Sequence, residues 1–332
     1  MFACMVTRHA KSSCCGAPIQ HFGGRRRRCP RCGRTWRIRR CRRGPKPGRP
    51  ALALLRATLL ERRSLARQAA ARRCPAATLR RRCRQALAWF LAHSAAAPVP
   101  PGAVILLGDA LWLRFGRARW TLYLLAAKPR TTPTAIVLDP LLLPGREAQS
   151  GWLRAVAQLP APLRQRVKAF VSDGFPGSNT LARGYGWVHQ RCHFHLIAKL
   201  QARRGRRTRM RGWQGREAIY QAAREALRTR SPARLRQLRR ELRALAHDQP
   251  YCPARLRMTV ADLLAELPAF RAYQAHPALH LPTTTNALEA MAKILRARLR
   301  PLRTPEAVQR WATALIRLRP YVTCNGHDHQ PK

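Results

Sequence analysis

The sequence predicts an α/β protein: a mixed core interrupted by a helical block and preceded by two small N-terminal modules. Three observations predict it. Apolar segments of strand length cluster between residues 98 and 204, apolar residues at helical spacing dominate 205–282, and the first 50 residues are too rich in Cys, Arg and Gly to fold on a hydrophobic core alone.

The chain carries 65 Lys+Arg against 14 Asp+Glu, a formal net charge of +51. Such an excess implies a polyanionic partner, because neutralising phosphates releases counterions and gives strong, salt-dependent binding. No apolar run approaches the roughly 18–20 residues of a membrane span, and the N-terminus lacks an apolar signal core, so a cytoplasmic protein with no membrane partner is expected. In that compartment the 11 cysteines read as thiols or metal ligands, not as a disulfide framework.

Residues 1–50 end in the linker Gly44-Pro45-Lys46-Pro47-Gly48-Arg49-Pro50. Within them Cys29-Pro30-Arg31-Cys32-Gly33 has the form of a zinc knuckle, two thiolates on a tight turn. Cys14 and Cys15, followed by Gly16, are the expected other half. That half is irregular, since Ser12 stands where a regular knuckle has Cys, and Cys4, His21 or Cys41 are alternative fourth ligands. A zinc ribbon holding structural Zn²⁺ is the expectation.

Residues 51–97 read as helices. Leu52, Leu55, Leu59 and Leu60 form an apolar stripe, Ser64 is placed to cap a second helix, and Cys74-Pro75 separates it from a third. Two helices joined by so short a turn fit a helix-turn-helix, with Arg80, Arg81, Arg82 and Arg84 turned toward DNA.

From residue 98 the pattern changes to strands over Val104 to Phe115, Trp120 to Ala127 and Ala135 to Leu143. A helix over Ser150 to Leu159, a strand over Ala169 to Asp173, a short helix and a strand from Trp187 come next. That order is the order of an RNase H-like fold. Residues 205–282 then read as a helical insertion, with Ser231-Pro232 opening a helix whose stripe is Leu235, Leu238, Leu242 and Leu245. Residues 283–323 return to the core with a helix carrying Glu289, and 324–332 form a tail.

In a chain so poor in acids, three stand where chemistry would use them. Asp109 closes the apolar run from Val104, Asp173 closes the run from Ala169, and Glu289 opens an amphipathic helix. Hard divalent cations prefer carboxylate oxygens, and phosphoryl transfer uses two such cations, so Asp109, Asp173 and Glu289 are the expected Mg²⁺ or Mn²⁺ ligands. Each has a plainer alternative. Asp109 and Asp173 adjoin glycines as turn aspartates do, and Asn286-Ala287-Leu288-Glu289 matches a capping box. Asp139, before Pro140, is the best competing carboxylate. On the wheel of the Glu289 helix, Lys293, Arg296 and Arg300 share the Glu289 side and suit a DNA backbone, while Leu288, Met291, Leu295 and Leu299 line the other. Cys192 and His195 are spaced like half a metal site, but with no second pair in reach they read as packing beside the site.

These pieces resemble the bacterial insertion-sequence DDE transposases related to the Mutator-like superfamily. The similarity runs from about residue 100 to 323 and rests on Ser172-Asp173-Gly174, Cys192-x-x-His195 and Thr285-Asn286-Ala287-Leu288-Glu289 followed by Leu295-Arg296-x-Arg298. Ala290 stands where such proteins often have glycine. The resemblance implies that Asp109, Asp173 and Glu289 are the metal-binding catalytic triad, with Cys192 and His195 as the family's C-x-x-H pair. It implies a nucleoid-associated bacterial enzyme that binds double-stranded DNA at its element's terminal inverted repeats, as a homodimer or higher oligomer. Such an enzyme cuts those ends and joins them to target DNA. A DNA-binding regulator derived from a transposase and lacking its activity is the alternative, followed by a nuclease without joining activity and a basic RNA-binding protein.

Overall fold

The computed structural model describes residues 14–21, 26–37, 49–61, 63–205, 207–209, 211–247 and 252–324. The chain divides into two compact units, Met1–Arg49 and Pro50–Lys332. In the first, β1 (Gln20–His21), β2 (Arg26–Arg28) and β3 (Thr35–Arg37) form a small antiparallel sheet in that order. Gly33 completes the turn between β2 and β3, its amide bonded to the Cys29 carbonyl at 2.9 Å.

The second unit opens with α1 (Arg49–Leu59), α2 (Leu65–Ala71) and α3 (Ala76–His93). Ser64 caps α2 as its position suggests, its hydroxyl accepting from the Arg67 amide at 3.2 Å. Leu54, Ala69, Leu79 and Cys83 tie the three helices together, while Leu55, Leu59, Ala86, Leu87 and Phe90 join the main core of the sheet. These helices therefore pack as part of the α/β unit and not as a free-standing module.

A mixed seven-stranded sheet forms the centre of an α/β fold. Its strands are β4 (Val104–Phe115), β5 (Ala118–Pro129), β6 (Thr134–Val137), β7 (Leu141–Pro144), β8 (Val167–Ser172), β9 (Val188–Arg191) and β10 (Tyr321–Thr323). They lie in the order β10-β6-β5-β4-β8-β9, with β7 beside β5. The β4–β5 hairpin is antiparallel, and β8 and β9 run parallel to β4 through helical crossovers. Three details correct or refine the sequence expectation. Ala135 to Leu143 is two strands, because Pro140 has no amide to give a ladder and breaks the run. Asp109 closes the apolar run but not the strand, lying inside β4, which reaches Phe115 as expected with alternating burial over residues 110–115. The edge strand β10, paired with β6, is too short to announce itself in the sequence.

Both faces of the sheet are covered. On one, Trp152, Val156, Leu163 and Leu181, from α4 (Gln149–Ala157), α5 (Ala161–Arg166) and α6 (Ser178–Gly184), pack on Leu106 and Phe170. Next in the chain come α7 (His193–Arg204), α8 (Trp213–Arg228), α9 (Pro232–His247), α10 (Ala254–Ala265), α11 (Leu267–Phe270) and α12 (Ala272–Ala275). Leu196, Leu200, Ile219, Leu238, Leu242, Leu256 and Phe270 give α7 to α11 a core of their own, so the helical block begins with α7, ahead of residue 205. The chain returns with α13 (Asn286–Leu299) and α14 (Pro305–Leu318), whose Leu288, Met291, Leu295, Val308 and Leu315 cover the other face of the sheet beside Ile105, Leu107 and Val171. Of the expected tail, residues 325–332 lie outside the described residues.

Candidate functional site

Asp109 sits on the central strand with its backbone register opposite Leu124 of β5. On its other side β8 runs parallel, with Leu107 paired to Val171. Asp109 stands two residues beyond Leu107 on β4, and Asp173 two beyond Val171, just past the end of β8, near enough to act on Asp109 electrostatically. Gly108 makes this possible from behind: a Cβ there would stand 2.8 Å from the Phe170 ring and 3.0 Å from Trp152. Asp173 turns away from β8 through Gly174 (φ 86°), where a Cβ would meet the Arg191 guanidinium at 2.2 Å.

Glu289 reaches the same place from α13. The apolar side of that helix is buried as expected, with Leu288, Met291, Leu295 and Leu299 in the core, whereas Lys293, Arg296 and Arg300 are exposed. Glu289 pairs with Lys293 at 3.3 Å. The capping box is not formed. Asn286 lies inside the helix with its buried Oδ1 unpartnered, and the amide of Thr285, the residue ahead of the helix, is already given to Cys192.

Asp109 is buried, and its Oδ1 accepts from the Ala110 amide at 2.8 Å. Burial pushes its pKa up to about 6, and repulsion from Asp173 and Glu289 adds to the rise, which the Ala110 amide and His195 oppose. The three acids therefore feel one another. A fourth, Glu147, was not picked out from the sequence. It lies ahead of α4 and accepts from the indole of Trp152 at 2.9 Å. Burial first and then Asp173 push it up to about 7, with Asp109 a smaller contributor. Four of the chain's 14 acids thus converge, and the signal that could have found Glu147 was simply an acid at a strand-to-helix junction in an acid-poor chain. Asp139 is removed from contention, because Arg317 of α14 grips it through Nε at 3.0 Å and through a second guanidinium nitrogen.

The carboxylate oxygens do not close into a single cage. Among the described residues, the one group of three or more ligand atoms within 4.8 Å of one another is that of the N-terminal cysteines. The donor set of these carboxylates suits hard cations.

Cys192 and His195 stand beside the acids. Burial works against a Cys192 thiolate, yet hydrogen bonds from His195 and Thr285 outweigh it and lower its pKa. Burial likewise opposes charge on His195, but Cys192 and then Asp173 and Asp109 raise its pKa to about 9. His195 Nδ1 is 3.3 Å from the sulfur, which also accepts from the Thr285 amide at 3.3 Å. The pair thus ties the end of β9 to the start of the Glu289 helix.

In the N-terminal unit, Cys14, Cys15, Cys29 and Cys32 bring their four sulfurs within 4.8 Å of one another, as a four-coordinate metal site requires. Hydrogen bonding to Cys32 is the largest cause holding the Cys15 thiol up at about 12, as expected when thiols crowd together without a cation. Cys4, Cys41 and the side chain of His21 lie outside the described residues. Arg80, Arg81, Arg82 and Arg84 are all exposed on α3. Among the described residues no helix is long and apolar enough to cross a membrane.

Comparison with known protein families and with curated proteins finds no match.

Proposed function

We propose that this chain is a DNA transposase with an RNase H-like catalytic core, which cuts the ends of its element and joins them to target DNA. The observation that carries the reading is the convergence of Asp109, Asp173 and Glu289, residues far apart in sequence, on one end of a sheet. The strand order supports it: the three antiparallel strands β4, β5 and β6, with β8 and β9 parallel to β4, follow the sequence of pairings that an RNase H-like core uses.

Asp109 and Glu289 would hold Mg²⁺ or Mn²⁺ with Asp173, and Glu147 adds negative charge at their side. When bound, such ions supply activation of water or a 3′ hydroxyl and stabilisation of the leaving oxygen. The protein's own part is positional. Gly108 lets β4 pack close, the pairing of β4 with β8 brings the aspartates near each other, and Cys192 fixes the start of the Glu289 helix. His195, protonated at neutral pH, offsets part of the carboxylate charge. Lys293, Arg296 and Arg300 form an exposed cationic row suited to a DNA backbone. Arg80, Arg81 and Arg84 on α3 suit recognition of terminal repeats in a helix-turn-helix manner, and the four cysteines suit structural Zn²⁺. Binding two element ends would call for a homodimer or larger assembly.

The test is Glu289→Gln, with Asp109→Asn and Asp173→Asn beside it. An amide keeps the shape of the side chain but is a poor ligand for a hard cation. Each variant should bind end DNA normally and lose cleavage and joining almost completely. Normal cutting by Glu289→Gln in Mg²⁺ would sink the triad.

A further inference from the structure

Past Asp109 the β4–β5 hairpin leaves the covered part of the sheet, and its two faces differ. One face carries Leu111, Leu113, Phe115, Trp120 and Leu122 into the core. The other carries Trp112 and Arg114, with Thr121 and Arg119 directly across in register. Trp112 is 72% exposed, and Arg114 and Arg119 are exposed beside it, with Arg117 at the hairpin tip and Arg146 after β7. Among the described residues none of these arginines is in an ion pair.

The nearby Glu147 is anchored by the fully buried Trp152, and the Trp112 ring stands open to solvent. Three residue steps of strand, roughly 10 Å, lead from Asp109 to Trp112, and the alternation of the strand puts their side chains on opposite faces of β4. An aromatic face flanked by unneutralised guanidinium groups fits a polyanionic chain carrying flat bases. Paired bases inside a duplex keep their faces stacked on one another, so an unpaired base is the group that can use this ring.

We infer that Trp112 is a stacking platform for an unpaired DNA base, with Arg114 and Arg119 on the neighbouring phosphates. This rests on the DNA-cleaving reading for the identity of the strand.

The experiment uses the full chain in EDTA, so that binding is read without chemistry. Trp112→Ala, Trp112→Phe and wild type are titrated with a duplex bearing a three-nucleotide unpaired flank, the same duplex fully paired, and an RNA oligonucleotide. Trp112→Ala should weaken binding to the flanked duplex about tenfold or more, since stacking on an aromatic is worth about that per base. Trp112→Phe should recover most of the loss, and the paired duplex should bind equally well to all three. A 2-aminopurine in the flank should be quenched by wild type and not by Trp112→Ala. Equal binding of the flanked duplex by wild type and Trp112→Ala, an equal loss on both duplexes, or a loss confined to RNA would overturn the inference. Failure of the cleavage reading appears separately, as normal cutting by Asp109→Asn in Mg²⁺.

Discussion

The backbone amide of Thr285 donates to the sulfur of Cys192 at 3.3 Å, and the Thr285 hydroxyl reaches the same sulfur at 3.4 Å. Thr285 is fully buried and immediately precedes the helix that carries Glu289. One side chain at the end of β9 therefore sets where that helix starts. The neighbouring amide of His193 adds a second tie, donating to the Thr283 carbonyl at 2.8 Å.

Removing the sulfur tests this clasp. Cys192→Ala leaves the Thr285 amide buried without an acceptor, which costs about 1–3 kcal/mol. The thermal unfolding midpoint should fall accordingly, and DNA cleavage should fall further than stability alone explains, because Glu289 loses its fixed starting point. Cys192→Ser keeps an acceptor and should recover part of both. Unchanged stability and cleavage in Cys192→Ala would mean the clasp is dispensable.

The carboxylates make stability depend on pH in a definite direction. Asp109 is pushed up to about 6 and Glu147 up to about 7, both above their ordinary values. Between pH about 4 and 7 these two groups hold protons in the folded state that the unfolded chain releases, so the stability they contribute is greatest at the acid end and declines as pH rises through the folded values. A two-unit shift is worth about 3 kcal/mol. In urea melts at pH 5 and pH 8 in EDTA, Asp109→Asn and Glu147→Gln should each lose less stability between the two than wild type does. Mn²⁺ should restore the pH 8 midpoint of wild type and leave that of Asp109→Asn nearly unmoved. Identical pH dependence in all three proteins would remove the electrostatic account of the cluster.

Gly108 allows a sharper check of the packing behind the site. A methyl group there would stand 2.8 Å from Phe170 and 3.0 Å from Trp152, both fully buried rings with no room to retreat. Gly108→Ala should cost about 1–3 kcal/mol by overpacking. Because Trp152 also holds Glu147, displacement of the indole should be visible as a change in tryptophan fluorescence. An alanine variant as stable as wild type, with an unaltered spectrum, would show that the two rings can yield.

How far the sequence spoke depended on how local each signal was. Alternation and apolar runs marked β4, β5, β8 and β9, since a strand buried in a sheet must be apolar over a short stretch. The stripe of Leu288, Met291, Leu295 and Leu299 identified the buried side of α13 for the same reason. Where the deciding partner was distant, the reading failed or stayed open. Asp139 and Glu147 look alike as loop acids. Only the fold gives Asp139 to Arg317, 178 residues away, and Glu147 to the carboxylate cluster. The capping box at Asn286 matched locally, but Asn286 falls inside the helix, with Thr285 ahead of it and its own Oδ1 without a partner. For Cys192, spacing alone could not reveal Thr285 as its partner.

The N-terminal cysteines allow a test that does not involve DNA chemistry at all. Their four sulfurs lie within 4.8 Å of one another, and the unit around them has only three short strands and few buried apolar groups among its described residues. A module of that kind gains its folding energy from the ion, because the unfolded chain has no preformed site. Purified protein should carry about one zinc per chain. Cys29→Ser combined with Cys32→Ser should abolish it, since Cys29 is buried at the turn and Cys32 closes the knuckle. Limited proteolysis should then cleave within the first 50 residues while residues 50–324 stay resistant, because that unit has its own cores. Chelation should reproduce the pattern in the wild type, and added zinc should reverse it. Protein that is metal-free as purified yet equally resistant to protease at its N-terminus would show that the cysteines cluster without an ion to hold.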